Sequence, residues 1–172
     1  KKVFGKNRHL KIIQKALGEH DGEAELLISN TNTISSMSPE WIKAVKESGR
    51  FSEYLWNKEQ KVLITTLDGL IEQYGTPDFI KIDVEGFEYR VIQGLSRSIP
   101  MISLEFVPEC FESTLKCIDY LARLSEIRLN YSIGESMQFS LETWIAPEEM
   151  KSLLSEFSKE TSMFGDVYAK SI

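Results

Sequence analysis

The amino-acid sequence predicts a single α/β domain whose sheet is mostly parallel. Segments with strand-like and helix-like hydrophobic patterns alternate through the middle of the chain, which is typical of parallel strands joined by right-handed crossovers. With 172 residues, 42 % of them hydrophobic, the chain is long enough for one ordinary core and too short for two. Residues 77–88 stand at the centre of the pattern, because a short apolar strand there ends in two carboxylates before a helix begins.

The composition excludes two classes of partner. A formal net charge of -6 argues against nucleic acid, because surfaces that bind phosphate backbones are rich in lysine and arginine. No apolar run approaches the roughly 20 residues that a membrane-spanning helix needs. We therefore expect a soluble, cytoplasmic protein without a membrane span.

The N-terminal third predicts a hairpin, a helix and an aromatic segment. Residues 10–17 and 23–29 have the pattern of two strands joined by a turn. A helix is predicted from a serine cap at Ser38 to about residue 48, since proline and glutamate follow the cap. Residues 49–60 mix charged and aromatic side chains; a mobile substrate lid is one interpretation, and a loop packed on the body of the protein is the favoured one.

The rest of the chain alternates strands and helices. Strands are predicted at 61–65, 79–84, 101–106, 127–133, 139–145 and 165–169, and helices over 67–74, after 87, over 111–124 and from 147.

The strand at 79–84 places a lysine among apolar residues. Side chains alternate between the two faces of a strand, so Phe79, Lys81 and Asp83 are expected to share one face. A lysine in a central parallel strand is costly unless its charge is paired. We therefore predict that Lys81 pairs with a carboxylate, and the candidates are Asp68, Glu105 and Asp83.

Acidic residues accumulate at the predicted strand ends. Asp83 and Glu85 follow one strand, Glu105 lies near the end of the next, and Asp68 opens the preceding helix. Ligands of open parallel sheets bind outside the carboxyl ends of the strands, and converging carboxylates need a positive partner. Lys81, a bound cation or a cationic cofactor meets that need, but Asp83 and Glu85 can equally be caps of the next helix. Residue chemistry alone leaves both interpretations open.

The sequence assigns no metal site. Cys110 and Cys117 are too few for a disulfide framework, and their spacing of seven lies outside the usual zinc-ligand pairs. A strand that ends in Asp83-Val84-Glu85-Gly86 also has the form of a metal-dependent phosphohydrolase nucleophile. That chemistry needs a magnesium cage, and no later pair of acids on a strand end provides one.

Four segments together resemble the FkbM family of S-adenosylmethionine-dependent methyltransferases. They are Thr66-Leu67-Asp68-Gly69-Leu70, Asp78-Phe79-Ile80-Lys81-Ile82-Asp83-Val84-Glu85-Gly86-Phe87-Glu88, Val91-Ile92-Gln93-Gly94-Leu95 and Ser103-Leu104-Glu105. The similarity is dense over residues 65–105 and extends from about residue 10 to the end. The resemblance implies a Rossmann-like class I methyltransferase fold, a mostly parallel sheet with an antiparallel C-terminal strand.

The resemblance also implies an activity and a set of site residues. Members methylate hydroxyl oxygens of saccharides and natural products with S-adenosyl-L-methionine as the cofactor, so a small-molecule or saccharide acceptor is the expected partner. Catalytic roles fall to Asp83, Lys81 and Glu85, cofactor binding to Asp68, Ala16 and Leu17, and substrate binding to Glu88, Glu105, Ser35 and Ser36. Asp83 is expected to orient or deprotonate the acceptor hydroxyl.

One part of the family pattern has no counterpart in residues 1–172. The family's glycine-rich first strand-loop and the acid that ends its second strand are not found in this sequence. We therefore expect an N-terminally truncated domain over residues 1–172 that corresponds to the C-terminal two-thirds of the full fold. The alternative function is a non-catalytic fragment or remnant that keeps the fold, has lost the cofactor half and acts as a binding or interaction module.

Overall fold

The computed structural model describes residues 10–136, 138–157 and 163–172, which form an α/β fold with two mixed sheets. The strands are β1 (Ala16–Leu17), β2 (Gly22–Ser29), β3 (Trp56–Thr65), β4 (Ile80–Ile82), β5 (Met101–Phe106), β6 (Ile127–Ile133) and β7 (Gly165–Ser171). The helices are α1 (Pro39–Glu47), α2 (Leu67–Tyr74), α3 (Glu88–Gln93), α4 (Phe111–Leu124) and α5 (Pro147–Phe157), with short 3-10 turns at Asn32–Ile34 and Pro108–Cys110.

The larger sheet has the strand order β4-β5-β7-β6. β4 and β5 are parallel, whereas β7 lies between β5 and β6 and is antiparallel to both, as predicted for the C-terminal strand. The prediction of a mostly parallel sheet is not confirmed. Within the described residues, β1 with β3 and β4 with β5 are the parallel pairs, and the other three pairs are antiparallel.

The predicted N-terminal hairpin is wrong. β1 pairs in parallel with β3, and β2 pairs with β3 in the antiparallel sense, so β3 separates the two expected partners. β3 has ten residues and extends well before the predicted start at 61, so it matches all eight residues of β2. Only two residues of the 10–17 segment join the sheet, and Ile12 in that segment remains exposed.

The aromatic segment 49–60 packs on the body of the protein, as the favoured interpretation predicted, and its rings lie in a small core, although residues 56–60 belong to β3 and not to a loop. The ring of Trp41 lies 5.9 Å from that of Phe51 and 6.1 Å from that of Trp56. The indole of Trp56 donates a hydrogen bond of 2.8 Å to the carbonyl of Ile34. Buried aromatic rings with satisfied polar atoms anchor a segment, because each removes a large apolar area from water.

The predicted helix starts are confirmed by their caps. The Ser38 hydroxyl accepts a hydrogen bond of 3.1 Å from the amide of Trp41 at the start of α1. Thr66 accepts one of 3.0 Å from the amide of Gly69 at the start of α2. Such caps satisfy amides that the first helical turn leaves free.

The strand predicted at 139–145 is absent from the described residues of that segment, where only an isolated bridge joins Leu129 and Ile145. The side chain of Asn130 takes the place of a strand partner. Its amide nitrogen donates to the carbonyl of Leu141 at 2.9 Å, and its oxygen accepts from the Leu141 amide at 3.1 Å. Because the Asn130 side chain satisfies both the carbonyl and the amide of Leu141, Leu141 does not need the backbone hydrogen bonds of a paired strand.

The two faces of the larger sheet differ in composition. Helices α4 and α5 pack against β5 and β6 on one face, where Ile82, Leu104 and Leu129 are buried. Residues of the opposite face line an open cavity. No helix in the described part of the chain is long and apolar enough to cross a membrane.

Candidate active site

The open face of the larger sheet carries a cavity of about 550 Å³, here called the acidic cavity because four carboxylates are among its lining residues: Asp83, Glu105, Glu135 and Asp166. Its lining residues come from all four strands and include Lys81, Asp83, Ser103, Glu105, Asp166 and Tyr168. Strand alternation explains the set, because positions two apart on each strand project to the same face. The predicted shared face of Phe79, Lys81 and Asp83 is confirmed.

Lys81 lies at the centre of an ion-pair network in this cavity. Its ammonium group is 2.5 Å from a carboxylate oxygen of Asp166 and 3.5 Å from one of Asp83. Burial lowers the pKa of Lys81, but the hydrogen bond to Asp166 and the charges of Asp166, Asp83 and Glu105 outweigh burial and raise it above its ordinary value. The predicted pairing with Asp83 is therefore confirmed, whereas the closest partner, Asp166, was not among the candidates.

A tight turn follows β4 and carries Glu85 and Gly86. Both residues have positive backbone φ angles, 51° at Glu85 and 85° at Gly86. The left-handed region is costly for a residue with a side chain, so other contacts must hold Glu85 there. One carboxylate oxygen of the buried Glu88 accepts hydrogen bonds of 3.2 Å from the amides of Val84 and Gly86. Glu88 therefore positions the backbone of the turn.

Two residues of the N-terminal part of the chain also contact this turn. The hydroxyl of the buried Ser36 donates a hydrogen bond of 2.6 Å to the carbonyl of Glu85. The Trp41 side chain covers Gly86 so closely that a Cβ atom at Gly86 would lie 2.3 Å from its Cγ atom. The turn is thus held by the N-terminal part of the chain as well as by β4.

Three carboxylates, Asp83, Glu85 and Glu105, meet beside this turn, and we call them the carboxylate trio. One oxygen of each lies within 4.8 Å of the corresponding oxygens of the other two. Burial raises the pKa of Glu85 to about 8, and the charges of Glu105, Asp83 and Glu88 act in the same direction. Burial and the charges of Asp83 and Glu88 also raise the pKa of Glu105, to about 7, although Lys81 opposes the rise.

The predicted cofactor-binding residues lie apart from the carboxylate trio. Asp68 accepts hydrogen bonds from the amide of Ser96 at 3.0 Å and from the guanidinium of Arg97 at 3.3 Å, where the chain approaches the start of β5. It makes no ion pair with Lys81, so that candidate pairing is wrong. Asp83 and Glu105 lie where β4 and β5 end. Asp68 therefore lies towards the opposite end of these strands, where β5 begins.

Leu17 and its neighbour Ala16 form β1. Leu17 lines an apolar cavity of about 360 Å³ beside β4, and Phe79 and Lys81 line both this cavity and the acidic cavity. Ser35 accepts a hydrogen bond of 3.2 Å from the amide of Ser29, so its hydroxyl serves its own loop. Of the two predicted serines, Ser36 is the one that contacts the site.

Sequence reasoning missed Asp166 and Ser103. Both lie on strands whose alternate residues are buried apolar side chains, and that alternation is the signal that places them on the polar face. The alternation does not predict which residues of other strands lie beside Asp166 and Ser103. Asp166 pairs in register with Glu105, and Ser103 lies between Lys81 and Tyr168, through contacts that depend on the order of the strands.

An α/β fold with mixed sheets and an acidic cavity at the strand ends is consistent with a methyltransferase-like protein. A family model described as the methyltransferase FkbM domain matches residues 3–124, and the chain belongs to that family. The match ends before β6, α5 and β7, so Asp166 lies beyond it. Comparison with curated proteins and with solved structures gives no match.

Proposed function

We propose that the protein is an S-adenosylmethionine-dependent methyltransferase that O-methylates a hydroxyl of a saccharide or natural-product acceptor. Membership of the FkbM methyltransferase family supports methyl transfer to a small acceptor. The observation that carries the proposal is the meeting of Asp83, Glu85 and Glu105 beside Lys81 at the ends of two parallel strands. Carboxylates in that position can both accept a proton and attract a cation.

The charge of the acidic cavity fits the expected donor. When bound, S-adenosylmethionine supplies a methyl group on a positively charged sulfonium, and the sulfur leaves as a neutral thioether when the carbon–sulfur bond breaks. Glu85 and Glu105 lie in a partly buried site, where an opposite charge interacts more strongly than in water. Leu17 and Phe79 line the adjoining apolar cavity and are the side chains we propose for its uncharged part.

Asp83 is the proposed general base. Its side chain is half exposed, so an acceptor hydroxyl can reach it from the cavity. As the acceptor oxygen forms its bond to the methyl carbon, the hydroxyl proton passes to the Asp83 carboxylate. Such proton transfer contributes about 100- to 10,000-fold to a rate, and alignment of the reacting atoms contributes about 7–11 kcal/mol in favourable cases.

Lys81 is the proposed positioning residue. Its ammonium group contacts Asp83 and Asp166, which links the Asp83 carboxylate to β7. An ammonium engaged by two carboxylates is not available as a base. The pair therefore orients Asp83, and no proton moves through Lys81.

The test combines binding and turnover with a matched pair of variants. Isothermal titration calorimetry of the full chain measures binding of S-adenosylmethionine, and transfer of a labelled methyl group to a panel of saccharides and polyhydroxylated natural products measures turnover. Asp83→Asn is expected to abolish transfer while donor affinity stays nearly unchanged. Asp78→Asn, an exposed aspartate before β4, is the control and should match the wild type.

The outcomes separate the parts of the proposal. Absence of saturable S-adenosylmethionine binding by the wild type overturns the donor assignment and favours a non-catalytic module. Binding without transfer to any member of the panel overturns O-methylation of these acceptor classes. Transfer by Asp83→Asn at the wild-type rate overturns the role of Asp83.

A further inference from the structure

The carboxylate trio has the geometry of a cation-binding site. Asp83 comes from the end of β4, Glu85 from the turn that follows, and Glu105 from the neighbouring strand β5. One oxygen of each lies within 4.8 Å of the others. Ligand oxygens at about 2.1–2.6 Å from a hard cation lie about 3–5 Å from one another, so the three oxygens match that spacing.

Two carboxylates of the trio have no donor in the described part of the chain. Neither Glu85 nor Glu105 forms a hydrogen bond or an ion pair through its side chain with residues 10–136, 138–157 or 163–172. Lys81 lines the same cavity as Glu105, and its ammonium group contacts Asp83 and Asp166 instead. Partly buried carboxylates without a cation repel one another, so the trio is short of positive charge.

An independent observation in the acidic cavity, which Asp83 and Glu105 of the trio line, also points to a ligand. The side chain of Ser103 is fully buried, and its hydroxyl finds no hydrogen-bond partner among the described residues. Ser103 lies two residues before Glu105 on β5 and lines the acidic cavity with it. A buried hydroxyl without a partner is unfavourable, so it fits a site in which a bound molecule completes its hydrogen bonds.

We propose that Asp83, Glu85 and Glu105 bind a hard divalent cation of the Mg²⁺, Mn²⁺ or Ca²⁺ class, with Ser103 hydrogen-bonded to a water molecule of its hydration shell. Oxygen-only ligands are the set that suits these hard cations. Mg²⁺ and Mn²⁺ retain water in such sites, and that water gives the Ser103 hydroxyl its partner. From the sequence, a bound cation was one of three possible positive partners for these acids, and the spacing of the trio together with the partnerless Ser103 hydroxyl favours the cation.

The catalytic use of the cation rests on the proposed function, but its binding does not. A divalent cation held by one oxygen of each of the three carboxylates would leave one net negative charge beside the donor. It would increase the acidity of an acceptor hydroxyl bound to it, and the proton would pass to the second oxygen of Asp83. Cation binding is measurable with neither donor nor acceptor present. A chain that binds the metal but not S-adenosylmethionine would keep this site and overturn the proposed function alone.

Mn²⁺ is the probe for the experiment, because the electron paramagnetic resonance signal of free Mn²⁺ falls as the ion binds. The full wild-type chain is expected to bind one Mn²⁺ with saturation, and Mg²⁺ is expected to compete. Glu85→Gln and Glu105→Gln should each weaken binding by about tenfold or more, and Ser103→Ala by about tenfold. Glu59→Gln, an exposed carboxylate on β3, is the matched control and should bind as the wild type does.

Two results would overturn the proposal. One is the absence of saturable Mn²⁺ binding by the wild type at millimolar concentrations of the ion. The other is binding that Glu85→Gln and Glu105→Gln leave as strong as in Glu59→Gln. Circular dichroism of each variant establishes that the chain is folded, and the glutamine substitutions retain the side-chain shape, so a loss of binding is assigned to the missing charge.

Discussion

Ser36 donates a hydrogen bond of 2.6 Å to the backbone carbonyl of Glu85, across 49 residues of sequence. Ser36 also forms backbone hydrogen bonds with Leu27 on β2, so it ties the smaller sheet to the turn after β4. The Ser36 hydroxyl in turn accepts a hydrogen bond of 2.9 Å from the amide of Ser38 at the α1 cap. The orientation of the Glu85 carboxylate thus depends on a residue far from the strands that carry the acids.

Replacing Ser36 with alanine is expected to lower both stability and site function. The substitution leaves the Glu85 carbonyl and the Ser38 amide without their buried partner, which costs about 1–3 kcal/mol in the free energy of unfolding. Mn²⁺ affinity should fall as well, because Glu85 loses a contact that holds its positive φ. Urea denaturation and Mn²⁺ titration check the two effects. Ser98→Ala, which removes an exposed hydroxyl before β5, is the control; equal Mn²⁺ affinity in both variants would contradict the prediction.

Gly86→Ala is expected to destabilise the protein severely. The backbone φ of 85° disfavours a side chain, and the new methyl group would lie 2.3 Å from Trp41 Cγ. Strain and overpacking together cost about 2–5 kcal/mol in the free energy of unfolding. Gly22→Ala is the matched control, because a Cβ atom there meets nothing within 4 Å. Thermal denaturation compares the two, and a Gly86→Ala melting temperature equal to that of Gly22→Ala would show that the turn adapts without cost.

The pair formed by Lys81 and Asp166 is expected to make a small, salt-sensitive contribution. The Lys81 side chain is 42 % exposed, so solvent screens the pair and its coupling free energy should be about 0.5–1 kcal/mol. A double-mutant cycle with Lys81→Met and Asp166→Asn measures that value by urea denaturation. The raised pKa of Lys81 means that this stabilisation is complete below pH 10.5 and is lost as the pH rises through the folded-state pKa. A zero coupling at low salt would contradict the expectation.

Part of the fold and part of the site could be predicted from the sequence. Local sequence patterns predicted most of the helices and several strands. Ser38 and Pro39 mark the start of α1, and the apolar run Met101–Phe106 coincides with β5. The alternation of side chains along a strand was enough to predict that Lys81 and Asp83 lie on the same face of the sheet. These features depend on neighbours in sequence, so a single chain is enough to predict them.

Features that depend on strand order were not predictable in this way. β3 separates β1 from β2, and β7 brings Asp166 against Lys81, because of pairings between distant segments. The failed strand at 139–145 has a related cause, since the Asn130 side chain bonds both backbone groups of Leu141. Hydrophobic pattern does not encode which partner satisfies a backbone group.

The free energy of unfolding, measured with EDTA present, is expected to fall as the pH rises from about 5 to about 8. The pKa of Glu85 is raised to about 8 and that of Glu105 to about 7, so over this range the folded chain holds more protons than the unfolded chain, whose glutamates titrate near 4.5. Stability falls with pH wherever the folded state binds the excess protons. Melting temperatures measured at about pH 5.5 and about pH 8.5 give the size of the fall, because these two pH values bracket the titration of both glutamates.

Glu85→Gln isolates the contribution of one carboxylate to that fall. The amide cannot ionise, so the variant should lose less of its melting temperature between the two pH values than the wild type does. Glu59→Gln should follow the wild type, because its side chain is exposed. Adding Mg²⁺ in place of EDTA should restore stability to the wild type at the higher pH and have little effect on Glu85→Gln, since a ligand stabilises only the state that binds it. Parallel pH curves for the wild type and Glu85→Gln would show that Glu85 is not the group that titrates.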